Sequence, residues 1–147
     1  MPPERLTKKP NKPMANPTAS ATLQSAIPVF LVDDIAATMR WYERTLNFNG
    51  DAVPKFPPHT FCILRKDGVV IFLQQLAGYH RPDLYNEREG GVWNAYLRTR
   101  GVKALYDAVR GRAEVTVLQP LHRQPYGETE FEIRDPNGYV LVFAERL

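Results

Sequence analysis

Two runs of predicted elements, each ordered strand–helix–strand–strand–strand, follow one another along this chain, and that duplication limits the folds open to it. In the first run, Ile27 to Val32 reads as a buried strand, with Pro28 restricted to a strand start or an edge because it has no N–H to give. Asp34 is placed to cap the helix that follows, in which Ile35, Met39, Tyr42 and Leu46 recur at helical spacing beside Trp41. An irregular strand is expected between Asp51 and Phe56, weakened by Pro54. Strands from Thr60 to Arg65 and from Val69 to Gln74 then flank a Lys66-Asp67-Gly68 turn.

The second run repeats the order after a polar, turn-rich stretch, residues 77–90. Val92 to Arg98 reads as a strand and Val102, Leu105, Tyr106 and Val109 as one face of a helix. Val115 to Leu118, Glu128 to Ile133 and Tyr139 to Ala144 supply three more strands. The last two are joined by Asp135-Pro136-Asn137-Gly138, where Pro136 presets φ and Asn137 and Gly138 tolerate positive φ. The expected class is α+β: two tandem β-α-β-β-β modules whose curved, mixed but mostly antiparallel sheets form a concave cleft. Module one spans 25–76, the linker 77–90 and module two 91–147. Residues 1–22, rich in Pro, Thr, Ser, Ala and Lys, read as a flexible tail, and Met14 is an alternative start that would leave residues 1–13 outside the native chain.

Charge argues against nucleic acid as a partner. The net charge is +3, but Arg5, Lys8, Lys9 and Lys12 against Glu4 account for all of it, and the remainder has fifteen basic and fifteen acidic residues. There is no apolar run of the roughly 20 residues a bilayer requires, and without an apolar h-region near the N-terminus no secretory signal is expected, nor a membrane partner. The single Cys62, mid-strand, fits an inert buried thiol in a reducing cytoplasm.

The stretches Ile27 to Phe48 (IPVFLVDDIAATMRWYERTLNF) and Tyr126 to Glu145 (YGETEFEIRDPNGYVLVFAE) resemble the vicinal oxygen chelate superfamily, which holds glyoxalase I, extradiol dioxygenases and the bleomycin-resistance proteins. The resemblance extends over nearly everything after residue 25. In metal-dependent members, His and Glu on the first and last strand of each module hold an ion, and the matching positions here are Ile27, Phe72, Asn94 and Val142. Three of the four are hydrocarbon, so the resemblance implies no metal site of the family type and no cofactor. It is nearest to the metal-free bleomycin-resistance branch and implies a homodimer with ligand clefts where subunits meet. Tyr126-Gly127 stands where that branch tends to carry Trp-Gly, and Thr129-Glu130-Phe131 where it often has Arg-Glu-Phe.

Strand alternation assigns Phe72, Gln74, Asn94, Tyr96, Arg98, Glu130 and Glu132 to the concave side, and Phe30, Leu73, Trp93, Leu97, Phe131, Ile133, Leu141 and Phe143 to the core. Glu130 and Glu132 are candidates to bind a cationic or hydrogen-bond-donating ligand or to act as a base. The plainer expectation is a solvated strand face, or ion pairs with Arg98 or Arg134, because exposed carboxylates on strands are ordinary. Asn94, Tyr96, Arg98 and Gln74 are candidates for orienting hydrogen bonds, and Phe56, Phe61 and Tyr126 for stacking on a ligand. His59, His80 and His122 all fall in predicted loops without metal-ligand spacing. The leading expectation is non-catalytic sequestration of a hydrophobic or cationic small molecule such as an antibiotic. Two alternatives stand beside it: a metal-dependent lyase, isomerase or dioxygenase with relocated ligands (Glu130, Glu132 and a loop His), and a subunit or regulatory module whose cleft is vestigial.

Overall fold

The computed structural model describes residues 19–147. Most of the expected tail, residues 1–22, and the Met14 start lie outside the described residues. The elements are β1 (Val29–Val32), α1 (Ile35–Leu46), β2 (Asn49–Val53), β3 (Phe61–Lys66), β4 (Val69–Gln75), β5 (Ala95–Arg98), α2 (Val102–Val109), β6 (Thr116–Arg123), β7 (Glu128–Arg134) and β8 (Val140–Arg146). They form two four-stranded sheets of equivalent topology, β1-β4-β3-β2 and β5-β8-β7-β6. In each, the first strand runs parallel to the fourth and the other pairs are antiparallel. The tandem α+β architecture is as the sequence implied. Among the described residues no helix is long and apolar enough to cross a membrane.

Local chemistry explains most boundaries. Asp34 caps α1, its carboxylate accepting the Ala37 N–H at 3.1 Å, and Asn47 ends the helix at φ 60°, a left-handed conformation Asn tolerates. Pro28 stands just before edge strand β1, where only its carbonyl is needed, accepting from Phe72 N at 3.0 Å. Helix α2 has no local cap. Glu145, 43 and 44 residues away on β8, accepts the N–H groups of Val102 and Gly101, each at 2.9 Å.

Several boundaries differ from expectation: β2 runs Asn49–Val53, ahead of the expected Asp51 to Phe56, β1 starts at Val29, and β8 runs on to Arg146. β6 continues past Leu118 to Arg123 and absorbs Pro120 because it is an edge strand with register shifts. β5 begins at Ala95 rather than Val92, since Asn94 terminates the ladder by accepting the Val140 N–H on its side-chain oxygen at 2.8 Å.

The modules share one core. Phe30, Tyr42, Leu46 and Leu73 belong to the same buried cluster as Val102, Phe131, Ile133 and Phe143. Polar and aromatic contacts cross the joint. The Tyr42 hydroxyl donates to Asp135 at 2.7 Å, Trp41 Nε1 donates to the Glu114 carbonyl at 2.9 Å, and Asn137 Nδ2 donates to Thr38 Oγ1 at 2.8 Å. Tyr139 stacks on Phe30 with ring centroids 4.1 Å apart. Its hydroxyl accepts from Leu31 N at 3.0 Å and donates to Leu31 O at 2.7 Å.

Candidate functional site

On β7 the pleat sends Glu128, Glu130 and Glu132 to the face turned away from Phe131 and Ile133, so three carboxylates stand in a row. Pairing aligns neighbours with them. Arg146 is opposite Glu128, Ala144 and His122 are opposite Glu130, and Val142 and Gln119 are opposite Glu132. On the far side of β8, Tyr96 pairs with Val142 and Arg98 with Ala144. All three glutamates are 2% exposed or less, which overturns the solvated-strand reading of Glu130 and Glu132.

The expected ion pair of Glu130 or Glu132 with Arg98 or Arg134 is also absent. Arg98 pairs instead with Glu128 at 2.7 Å, joined by Arg146 at 3.0 Å, while Arg134 pairs with Asp83 at 3.4 Å. Both guanidiniums meet Glu128 Oε2, and Oε1, buried, accepts nothing. Glu130 is held by neutral donors only: the hydroxyls of Tyr96 and Tyr126 on Oε2, the latter at 2.8 Å, and Gln124 Nε2 on Oε1 at 3.2 Å. Glu132 likewise accepts from the Tyr85 hydroxyl at 2.6 Å and Trp93 Nε1 at 3.1 Å.

These environments move protonation equilibria. Burial is the main reason Glu132 is held above the ordinary carboxylate range, opposed by the two donated hydrogen bonds. Burial first, then the neighbouring carboxylate, pushes the Tyr85 and Tyr126 phenols up to about 12 and raises Tyr96 further.

Aromatic groups cover the row while remaining open to solvent: Trp93 is 38% exposed, Tyr96 36% and Tyr126 49%. Trp93 and Tyr96 lie 5.5 Å apart, and the Arg98 guanidinium sits 5.5 Å from the centre of the Tyr96 ring. The placement of Trp93 corrects the core assignment. β5 starts two residues later, so the pleat does not fix this side chain and its indole turns to Glu132. Tyr85 comes from the 77–90 stretch, where a 3-10 turn at Tyr85–Glu87 aims it at the row. Gly91 leaves room for its ring, since a Cβ there would lie 2.5 Å from Tyr85 Cε1.

Of the sequence candidates, the structure brings Tyr96, Arg98, Tyr126, Glu130 and Glu132 together. Asn94 is spent on the strand end described above. Phe61 and Phe72 pack edge to face at 5.0 Å on the other sheet, Gln74 is exposed there, and Phe56 is 78% exposed on the β2–β3 loop. Alternation within β7 and β8 also carried the signal for Glu128 and Arg146. Tyr85, Trp93 and Gln124 lie outside strands and left none.

The four positions matched to family metal ligands do not fit an ion. Phe72 and Val142 offer hydrocarbon, Ile27 likewise, and the Asn94 oxygen is engaged. His122 is on β6, not in a loop as expected, with Nδ1 2.7 Å from Pro120 O, and His59 Nδ1 lies 2.8 Å from Pro54 O. Among the described residues, no three His, Cys, Asp or Glu side chains converge on a point that would hold an ion. A cavity of about 430 Å³ lies between Leu46, Phe48 and Val69 of one module and Leu97, Arg98, Leu105 and Phe143 of the other, and meets the carboxylate row only through Arg98.

A family model described as the glyoxalase/bleomycin resistance protein/dioxygenase superfamily matches residues 25–143. None of the curated proteins compared with the chain matches it. Solved structures agree in fold. TioX from Micromonospora sp. ML1 is 16% identical at a TM-score of 0.66, the match covering 84% of this chain and 99% of that one. A glyoxalase-related enzyme from Clostridium phytofermentans is 17% identical at 0.66, covering 88% and 99%. The bleomycin-binding protein from bleomycin-producing Streptomyces verticillus, solved with copper(II)-bleomycin, is 21% identical at 0.59, covering 84% and 96%.

Proposed function

This chain belongs to the glyoxalase/bleomycin resistance protein/dioxygenase superfamily, and from that premise we propose that it is a small-molecule binding protein of the bleomycin-resistance type. It holds a cationic, partly aromatic ligand over the Glu130–Glu132 pair without catalysis. One observation carries the reading: two carboxylates, 0% and 1% exposed, are satisfied by phenol, indole and amide donors and by no cation. Buried carboxylates are costly unless paired, so a site arranged in this way gains most from a positive group on the ligand. The open rings of Trp93 and Tyr126 offer π faces to the same group, while that of Tyr96 already carries the Arg98 guanidinium. Every oxygen of Glu130 and Glu132 accepts a bond from the protein, which favours a fixed charge partner over a mobile proton acceptor.

The test is calorimetric titration of the wild type and Glu130→Gln with copper(II)-bleomycin and with a minimal aromatic cation, 4-methylbenzylamine. Removing the buried negative charge beneath the bound cation predicts roughly tenfold weaker binding in the variant. Equal affinities, or no heat with either compound, would remove the proposal.

A further inference from the structure

The Glu128 end of the row differs in kind from the Glu130–Glu132 end. Two guanidiniums share Glu128 Oε2, at 2.7 and 3.0 Å, and both side chains are about two-thirds exposed, at 65% and 64%. Each therefore has N–H groups to spare toward an incoming acceptor. Beside them Oε1 of the same carboxylate, a residue only 2% exposed, has no donor. A buried acceptor without a partner is uncommon and costly in a native interior. The cluster thus lacks one donor and offers surplus donors next to it.

A lone ammonium would answer Oε1 but face two guanidiniums, and a carboxylate would answer the guanidiniums but face Oε1. A carboxamide meets both, its N–H donating to Oε1 and its carbonyl accepting from Arg98 or Arg146. Glu128, Glu130 and Glu132 are alternate residues of one strand, so successive positions along the row are about 6.8 Å apart. We infer that the ligand is an amino-amide: a compound whose cation lies on Glu130 and Glu132 and whose primary or secondary amide, one or two such steps away, is read by Glu128, Arg98 and Arg146. This rests on the proposed function for the cation and adds the second group.

Three compounds of one skeleton test it on the whole chain: 4-(aminomethyl)benzamide, 4-(aminomethyl)benzoate and 4-methylbenzylamine, titrated calorimetrically with Trp fluorescence as a second readout. The amide is expected to bind about tenfold more tightly than the methyl compound, the increment of one or two net hydrogen bonds. The benzoate should fall below the amide. In Glu128→Gln, the ratio of amide to methyl affinities should collapse to about one. Arg98→Lys is the companion variant, and should shrink the ratio if Glu128→Gln does not fold. If 4-methylbenzylamine binds and responds to Glu130→Gln while the amide gains nothing, the amide subsite is refuted and the cation site survives. If the benzoate binds best, the end is an anion site and the inference is wrong. If none of the three binds, both readings fall together.

Discussion

Asp135 joins the modules, and its burial makes stability depend on pH in a direction opposite to that of most carboxylates. It is 3% exposed, accepts the Tyr42 hydroxyl at 2.7 Å on Oδ2, and takes the N–H groups of Asn137 and Tyr139 on Oδ1 at 2.8 and 2.9 Å. Desolvation outweighs those three bonds and raises it from 3.8 to about 6. The protonated form is thus the one the fold prefers. The associated stability is complete below pH 3.8 and is lost as pH climbs through about 6. About two pKa units at 1.36 kcal/mol each give roughly 3 kcal/mol.

Asp135→Asn is neutral at every pH. Its oxygen can keep both backbone N–H groups and its amide can donate to Tyr42, so at pH 3.5 it should match the wild type to within about 1 kcal/mol. By pH 7 it should be the more stable by about 3 kcal/mol. Denaturant unfolding followed by Trp fluorescence, at steps across this range, reads the difference between the two proteins, in which the other groups, Glu132 included, cancel. A difference that stays constant within about 0.5 kcal/mol would refute the argument, because Asp135 would then not change ionisation between the folded and unfolded states.

Two further outcomes are expected. Gly91→Ala should cost more than Gly90→Ala in denaturant unfolding by about 1 kcal/mol: both sites have positive φ, but only at Gly91 does the new Cβ meet the Tyr85 ring, at 2.5 Å, whereas at Gly90 the nearest group is Arg88 Nη1 at 3.6 Å. Equal costs would mean Tyr85 is not held over Glu132. Cys62, buried on β3 with its thiol pushed up to about 11 by desolvation, should react with a disulfide reagent at pH 8 only as fast as the chain unfolds, and stoichiometric labelling of the native protein within seconds would contradict this.

Local rules made most of the fold legible. Asp34 lies immediately before an apolar helical pattern, and its cap closes within four residues, so the sequence alone places it. Pro28 and the Asp135–Gly138 turn are of the same kind. The cap on α2 is not, since Glu145 reaches it from the last strand and nothing near Gly101 signals its arrival. The site divides in the same way. The pleat of β7 put Glu130 and Glu132 on one face, but the reason they are buried is tertiary: Tyr85, Trp93, Gln124 and Tyr126 close over them from outside the strands. Alternation fails for Trp93 because it lies two residues before β5 begins, where no pleat fixes its side chain.

The phenol of Tyr139 has a consequence for how the two halves fold. A β-strand at the rim of a sheet normally leaves a row of donors and acceptors to solvent or to another chain. Here a side chain of the second module meets one such residue of the first, giving and taking a hydrogen bond at Leu31 as a neighbouring backbone would. Pulling the halves apart would strip that edge, open the shared core and strand Asp135 together. The duplicated pattern therefore does not describe two separable folding units. The described residues should unfold in a single transition, seen alike by Trp fluorescence and calorimetry, each half completing what the other leaves unfinished.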